Sequence, residues 1–161
     1  MDFLSDSLAS GQRFHLLTMV DNMSRESPAI EVDRSLTGQR VVAVLERAVA
    51  RYGLPQILQV DNWPEFTLRA LDTWAHRRGI KLAFSRPGTP TDNPFIEAFN
   101  GRVRQERLEQ QWFYSLEEAR DCLEEWRRDY NTIRPHTALG NQTPAAFVAA
   151  RHEQQADRET G

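Results

Sequence analysis

The chain is predicted to be an α/β domain, a mixed β-sheet flanked by helices, and three observations carry that expectation. Short apolar runs divided by turn residues fill the first forty positions. From about residue 45 the apolar period becomes that of an amphipathic helix. A short apolar strand, a second helix and an alternating strand then follow before a run of helices closes the chain.

Taken in order, residues 1–8 read as a first strand. Phe14-His15-Leu16-Leu17-Thr18-Met19-Val20 reads as a second, ending at Asp21-Asn22. Ala29-Ile30-Glu31-Val32 reads as a third, after a turn over residues 24–28. Together they predict an antiparallel meander. Leu45, Ala48, Val49 and Tyr52 lie at helical spacing, and Gly53 and Pro55 end that helix. Ile57-Leu58-Gln59-Val60 is a short buried strand. Leu68, Leu71 and Ala75 mark a helix stopped by Gly79, and Ile80, Leu82 and Phe84 alternate as a strand. After a loop over residues 86–93, Asn93 is positioned to cap a helix that has Pro94 first and carries Ile96, Phe99 and Val103. Ser115-Leu116-Glu117-Glu118 is a capping box. The helix it opens carries Ala119, Cys122, Leu123, Trp126 and Tyr130 on one face, and Thr143-Pro144 opens a last short helix. Trp112, Trp126, Tyr130 and Cys122 are expected in the core.

The chain's 161 residues suit one domain, with 40% hydrophobic and 27% charged residues, ordinary values for a globular protein. No apolar run is long enough to cross a bilayer, and the first residues have neither the basic region nor the apolar core of a secretion signal. Cys122 is the single cysteine, which excludes an internal disulfide and fits a cytoplasmic protein. The net charge of −3 does not by itself indicate a nucleic-acid partner. The basic residues are nevertheless clustered: Arg102, Arg104 and Arg107, then Arg127, Arg128 and Arg134 with His136.

Three carboxylates stand at positions where chemistry is done. Asp61 follows a buried strand, and ligands of open α/β sheets gather at the carboxyl ends of strands. Glu97 lies one turn into a helix, sharing its face with Asn100, Gly101 and Arg104, a polar and basic face that suits a phosphate backbone. Asp2 lies in the first strand, and it can meet Asp61 if the two strands are neighbours. Oxygen ligands at strand and helix ends suit a hard divalent cation. Taken singly, each acid has a plainer explanation: an Asx-turn before Pro64 for Asp61, a favourable charge near a helix start for Glu97, a surface acid for Asp2.

The chain resembles the integrase core of transposases from the IS-three family of bacterial insertion sequences, from Met1 to about Ala149. The blocks that carry the resemblance include Met1-Asp2-Phe3, Val20-Asp21-Asn22, Asp61-Asn62 with Pro64-Glu65-Phe66, and Arg86-Pro87-Gly88. They continue through Phe95-Ile96-Glu97 with Phe99-Asn100-Gly101, Trp126-Arg127, Tyr130-Asn131, Arg134-Pro135-His136 and Thr143-Pro144. Asp61 and Glu97 are 36 positions apart, which matches the family's spacing. The resemblance implies a ribonuclease H-like fold, with a catalytic core over residues 1–110 and a C-terminal helical extension of the same domain over 111–150, while residues 151–161 read from their polarity as a disordered tail. It implies Asp2, Asp61 and Glu97 as the catalytic and metal-binding triad, holding Mg²⁺ or Mn²⁺ as two ions. It implies DNA contacts by Asn62, Asn100, Arg104, Arg134 and His136.

The activity so implied is phosphodiester cleavage and strand transfer at insertion-sequence ends. Its partners are terminal-repeat and target DNA, a second copy of the chain, and a helix-turn-helix segment or separate protein that recognises the ends. Trp63 stands where the family has glycine, and the family's proteins carry residues before the first aspartate. Both features give the alternative expectation, a truncated and inactive remnant that keeps the fold and binds DNA or an intact transposase.

Overall fold

The computed structural model describes residues 1–61, 65–86, 89 and 92–161. β1 (Asp2–Ser7), β2 (Arg13–Thr18) and β3 (Ile30–Asp33) form an antiparallel meander in which Asp2 lies opposite Thr18 and Thr18 opposite Ile30. α1 (Gly38–Tyr52) begins where the Thr37 hydroxyl accepts the Arg40 N–H at 3.2 Å, and it ends at Gly53, whose φ of 91° disfavours any side chain. β4 (Ile57–Val60), α2 (Glu65–Arg78) and β5 (Lys81–Phe84) form a parallel β-α-β unit, with Gly79 at φ 68° turning the chain out of α2. The Met1 nitrogen donates to the Gln59 carbonyl at 2.8 Å, which sets the start of β1 beside β4.

α3 (Pro94–Val103) continues into a π-helical turn (Arg104–Leu108), followed by α4 (Leu116–Thr132), a short 3₁₀ turn (Thr137–Leu139) and α5 (Pro144–Thr160). Among the described residues, no helix is long and apolar enough to cross a membrane.

Strand alternation divides the apolar side chains between two cores. Leu17 of β2 and Met19 just after it, with Leu58 and Val60 of β4, pack against Val41, Val44 and Leu45 of α1 and Leu71 and Trp74 of α2. Leu4, Leu16, Ile30 and Val32 face the other way, against Ile96, Phe99 and Val103 of α3 and Leu123, Trp126 and Tyr130 of α4. The predicted antiparallel meander and parallel strands between helices are therefore observed, paired as a three-stranded and a two-stranded sheet that meet where Met1 bonds to Gln59. α4 covers one face of the meander.

Several expectations are corrected in detail. Asn93 is buried and makes no side-chain cap, so α3 begins on Pro94 without the predicted capping bond. The capping box at α4 is half formed. The Ser115 hydroxyl accepts the Glu118 N–H at 3.1 Å, but the Glu118 carboxylate accepts from Tyr114, one residue earlier than the motif provides. Trp112 is 70% exposed and not in the core, because Phe113 takes the inward place. Cys122 is half-buried at the edge of its core, with Sγ accepting from Gln111 at 3.1 Å. Phe84 closes β5 facing solvent. α5 runs to Thr160, through the segment expected as a disordered tail, and every residue from 151 onward is exposed.

Candidate active site

Asp2 lies on the same face of β1 as Leu4, the face that α3 covers, because residues two apart on a strand point the same way. Both of its carboxylate oxygens are held. Oδ1 accepts the Phe3 N–H at 2.7 Å, and Oδ2 accepts the side-chain amide of Asn100 at 2.9 Å. The Asn100 carbonyl oxygen in turn accepts the Thr18 hydroxyl at 2.7 Å, and Thr18 is the residue opposite Asp2 in the β1–β2 register. Asn100 and Thr18 are both buried.

Asp61 directly follows β4. Its Oδ1 accepts the Ser85 hydroxyl, which the parallel pairing of Val60 with Phe84 sets alongside. Asp61 is close enough to Asp2 to act on its ionisation. Burial pushes the Asp2 carboxyl above its ordinary range, the like charge of Asp61 adds to that, and Arg104 pulls against it. Neither acid forms an ion pair among the described residues.

Glu97 occupies the first turn of α3 with an exposed side chain, one helical turn before Asn100. The structure thus brings Asp2 and Asp61 together and ties the helix of Glu97 to the strand of Asp2. It does not close the three: among the described residues no group of three His, Cys, Asp or Glu side chains gathers closely enough to hold a metal ion. The donor set nevertheless fits one. Two part-buried carboxylates at strand ends, neither in an ion pair with a described side chain, offer the oxygen ligands that Mg²⁺ or Mn²⁺ takes, although the Met1 ammonium and Arg104 offset part of their charge.

The residues expected to meet DNA fall in different places. Asn62 and Trp63 lie outside the described residues. Arg104 is exposed and acts on the ionisation of Asp2. Asn100 faces inward, with both polar atoms engaged by Asp2 and Thr18, so its observed partners are protein groups. Arg134 pairs with Glu106 and lies 5.5 Å from the Tyr130 ring, and the same Glu106 carboxylate accepts the Trp126 indole N–H at 2.8 Å. Its role in this structure is to brace α4 against the π-helical turn. His136 sets its ring edge on Tyr130 at 5.0 Å, with Nε2 buried and without a hydrogen-bond partner among the described residues. Burial, with Arg102 and Arg134 nearby, holds its pKa below the usual value, which keeps the ring neutral at pH 7.

Thr18 and Ser85 were not anticipated. Thr18 did leave a signal, the one small polar residue inside the apolar run from Phe14 to Val20.

The fold is that of the ribonuclease H-like integrase cores. The catalytic core domain of BIV integrase superposes with a TM-score of 0.64 at 16% identity over 96% of each chain. The HTLV-2 integrase catalytic core domain, solved in complex with magnesium, gives 0.66 at 14% identity over 91% of this chain and 94% of that one. A simian T-cell lymphotropic virus intasome chain gives 0.72 at 16% identity over 91% of this chain and 51% of its own.

Residues 1–90 match the integrase core domain family, residues 78–144 match a second integrase core domain description, and the chain belongs to this family. Its relatives include the insertion element IS476 uncharacterized 39.2 kDa protein of Xanthomonas euvesicatoria, 46% identical over 98% of this chain and 45% of that protein. The insertion element IS407 uncharacterized 31.7 kDa protein of Burkholderia multivorans is 43% identical over 98% of this chain and 56% of its own length. The chain therefore spans about half the length of these curated relatives.

Proposed function

We propose that this chain is the catalytic domain of an insertion-element transposase, which cuts a phosphodiester at an element end and joins the freed 3′-hydroxyl to a second DNA strand. The observation that carries the reading is that Asp2 and Asp61, 59 positions apart in sequence, stand at strand ends that the Met1–Gln59 bond sets side by side, near enough for Asp61 to act on the ionisation of Asp2, with Asp2 tied through Asn100 to the helix that bears Glu97.

Asp2, Asp61 and Glu97 are the residues that would hold the divalent cations, two in number, with Glu97 as the third ligand. Divalent cations, when bound, polarise the phosphoryl group and stabilise both the entering and the departing oxygen of an in-line displacement. The chain's own part is to fix the two aspartates and to hold the scissile strand with Arg104. In cleavage a water oxygen bonds to phosphorus as the P–O3′ bond breaks, and the 3′-oxygen leaves as a hydroxyl. In joining, that hydroxyl attacks the target phosphodiester and displaces another 3′-oxygen. Two element ends must be held at once, which calls for more than one copy of the chain. Recognition of the terminal repeats falls to a helix-turn-helix segment or a separate protein, and the reaction takes place in the cytoplasm.

Strand transfer with terminal-repeat DNA and Mg²⁺ tests the reading. Asp61→Asn and Glu97→Gln are each expected to reduce product by at least about 100-fold, the scale on which one transition-state contact is lost, and parental activity in both would overturn the assignment. A second reading, a folded remnant that binds DNA without cutting it, is favoured by the exposed position of Glu97 apart from the aspartate pair. It predicts DNA retention with no cleavage in the same assay.

A further inference from the structure

We propose that Thr18 and Asn100 are positioning residues, a hydrogen-bond relay that fixes the Asp2 carboxylate in the orientation in which it takes a divalent cation. The inference rests on the assignment of Asp2 to the acidic site.

The donors and acceptors determine the direction of the relay. An ionised carboxylate can only accept, so the group of Asn100 facing Asp2 Oδ2 at 2.9 Å must be its NH₂. That leaves the amide oxygen facing Thr18, whose hydroxyl has a single proton. The Asn100 oxygen at 2.7 Å is a closer acceptor for it than the Asp2 carbonyl at 3.3 Å. Thr18 therefore favours this orientation of the amide. A rotated amide would set its oxygen against the carboxylate, and the Thr18 hydroxyl would then have to accept from the NH₂ and give its proton to the more distant Asp2 carbonyl. With Phe3 N–H on Oδ1 and Asn100 on Oδ2, each Asp2 oxygen accepts one fixed bond and keeps free lone-pair capacity for a cation.

Placement strengthens the case. Thr18 is opposite Asp2 in the sheet and Asn100 is one turn beyond Glu97 on α3, so one amide sets the distance between the strand and the helix that carry two of the three acids. Both relay residues are buried, and the relay accounts for both polar ends of the Asn100 side chain. Groups that orient metal-binding side chains in this way affect metal affinity as well as stability.

The test is Mn²⁺ binding to the 161-residue chain, read as loss of the free-ion electron paramagnetic resonance signal, with a metal-free thermal melt on every variant. Asp2→Asn and Asp61→Asn are expected to abolish tight binding. Thr18→Val, which keeps the shape and removes the hydroxyl, and Asn100→Ala are each expected to weaken binding by about 10-fold to 100-fold. Thr18→Ser, which restores the hydroxyl, should recover most of the affinity. If Thr18→Val and Asn100→Ala fold and bind Mn²⁺ like the parent while the aspartate variants do not, the relay is wrong and the acidic site stands. Should Asp2→Asn and Asp61→Asn also bind like the parent, the acidic site fails and the relay falls with it. A change in the melt without a change in affinity gives Thr18 and Asn100 a purely structural role and overturns the proposal.

Discussion

The two helical faces of the sheet are held by different forces. On the α1/α2 side, apolar contacts fill the interface, and charged groups stay at its edge. There Glu46 accepts from the Trp74 indole at 2.6 Å and pairs with Arg78, while Glu31 takes Arg40 and Arg47 at 2.6 and 2.8 Å. The α3/α4 side also has an apolar core, but buried polar side chains cross it. Arg127 donates to the Ser27 carbonyl at 2.7 Å and to Glu124, Asn131 forms two bonds with the Ser27 backbone, and Asn100 joins Asp2 to Thr18. Apolar contact is tolerant of orientation, whereas buried hydrogen bonds accept few geometries and are costly to leave unmade. The candidate site lies on the second face, where orientation is controlled.

This contrast predicts where damage falls. The largest loss of stability is expected from Leu71→Ala, a fully buried side chain on the α1/α2 face, at about 2–5 kcal/mol by denaturant titration. The Mn²⁺ affinity of the fraction that remains folded should be unchanged, and a large change in affinity would break the division of labour between faces. Arg127→Ala comes next, at about 2–3 kcal/mol, since it removes charged bonds to Ser27 and Glu124 at a buried position. It should also speed amide exchange over residues 21–27, because one of the ties from that turn to α4 is lost.

The smallest effect concerns pH. The bond from Arg127, ahead of its burial, holds the Glu124 carboxyl below its ordinary value. An acid whose folded pKa is depressed adds stability that is complete above its unfolded value, about 4.3, and is lost as pH falls through the folded one. Stability should therefore decline below about pH 4.3, and Arg127→Ala should flatten that part of the acid limb. An unchanged limb in the variant would show that Glu124 gains nothing from its partner.

Much of the fold was legible because strands and helices write their periods locally. The apolar runs before residue 33, the 3.6 period of α1 and the caps at Thr143 and Ser115 depend on neighbours within a few positions. The acids at 61 and 97 stand out as candidates by their spacing and flanking blocks. What escaped depends on contacts distant in sequence. Nothing near Asn100 shows that its amide turns inward to Asp2, 98 positions away, and nothing near Arg127 shows a bond to Ser27, 100 positions away. Trp112 was misplaced for a related reason: two large aromatics stand side by side, and only packing decides that Phe113 enters the core. The helical course of residues 151–160 was hidden by their polarity, since nothing covers them.

The alternation of β1 has one more consequence. Met1 and Phe3 point into the α1/α2 side, and Asp2 points the other way. If β1 slid by a single position along β2, an aspartate would enter an oily interior while an aromatic ring took its place under α3. Such an error would be penalised twice, by a stranded charge and by the loss of the bond to Asn100. The side chain proposed as a metal ligand thus also guards the alignment of the hairpin, and replacing it with an apolar residue would remove that safeguard.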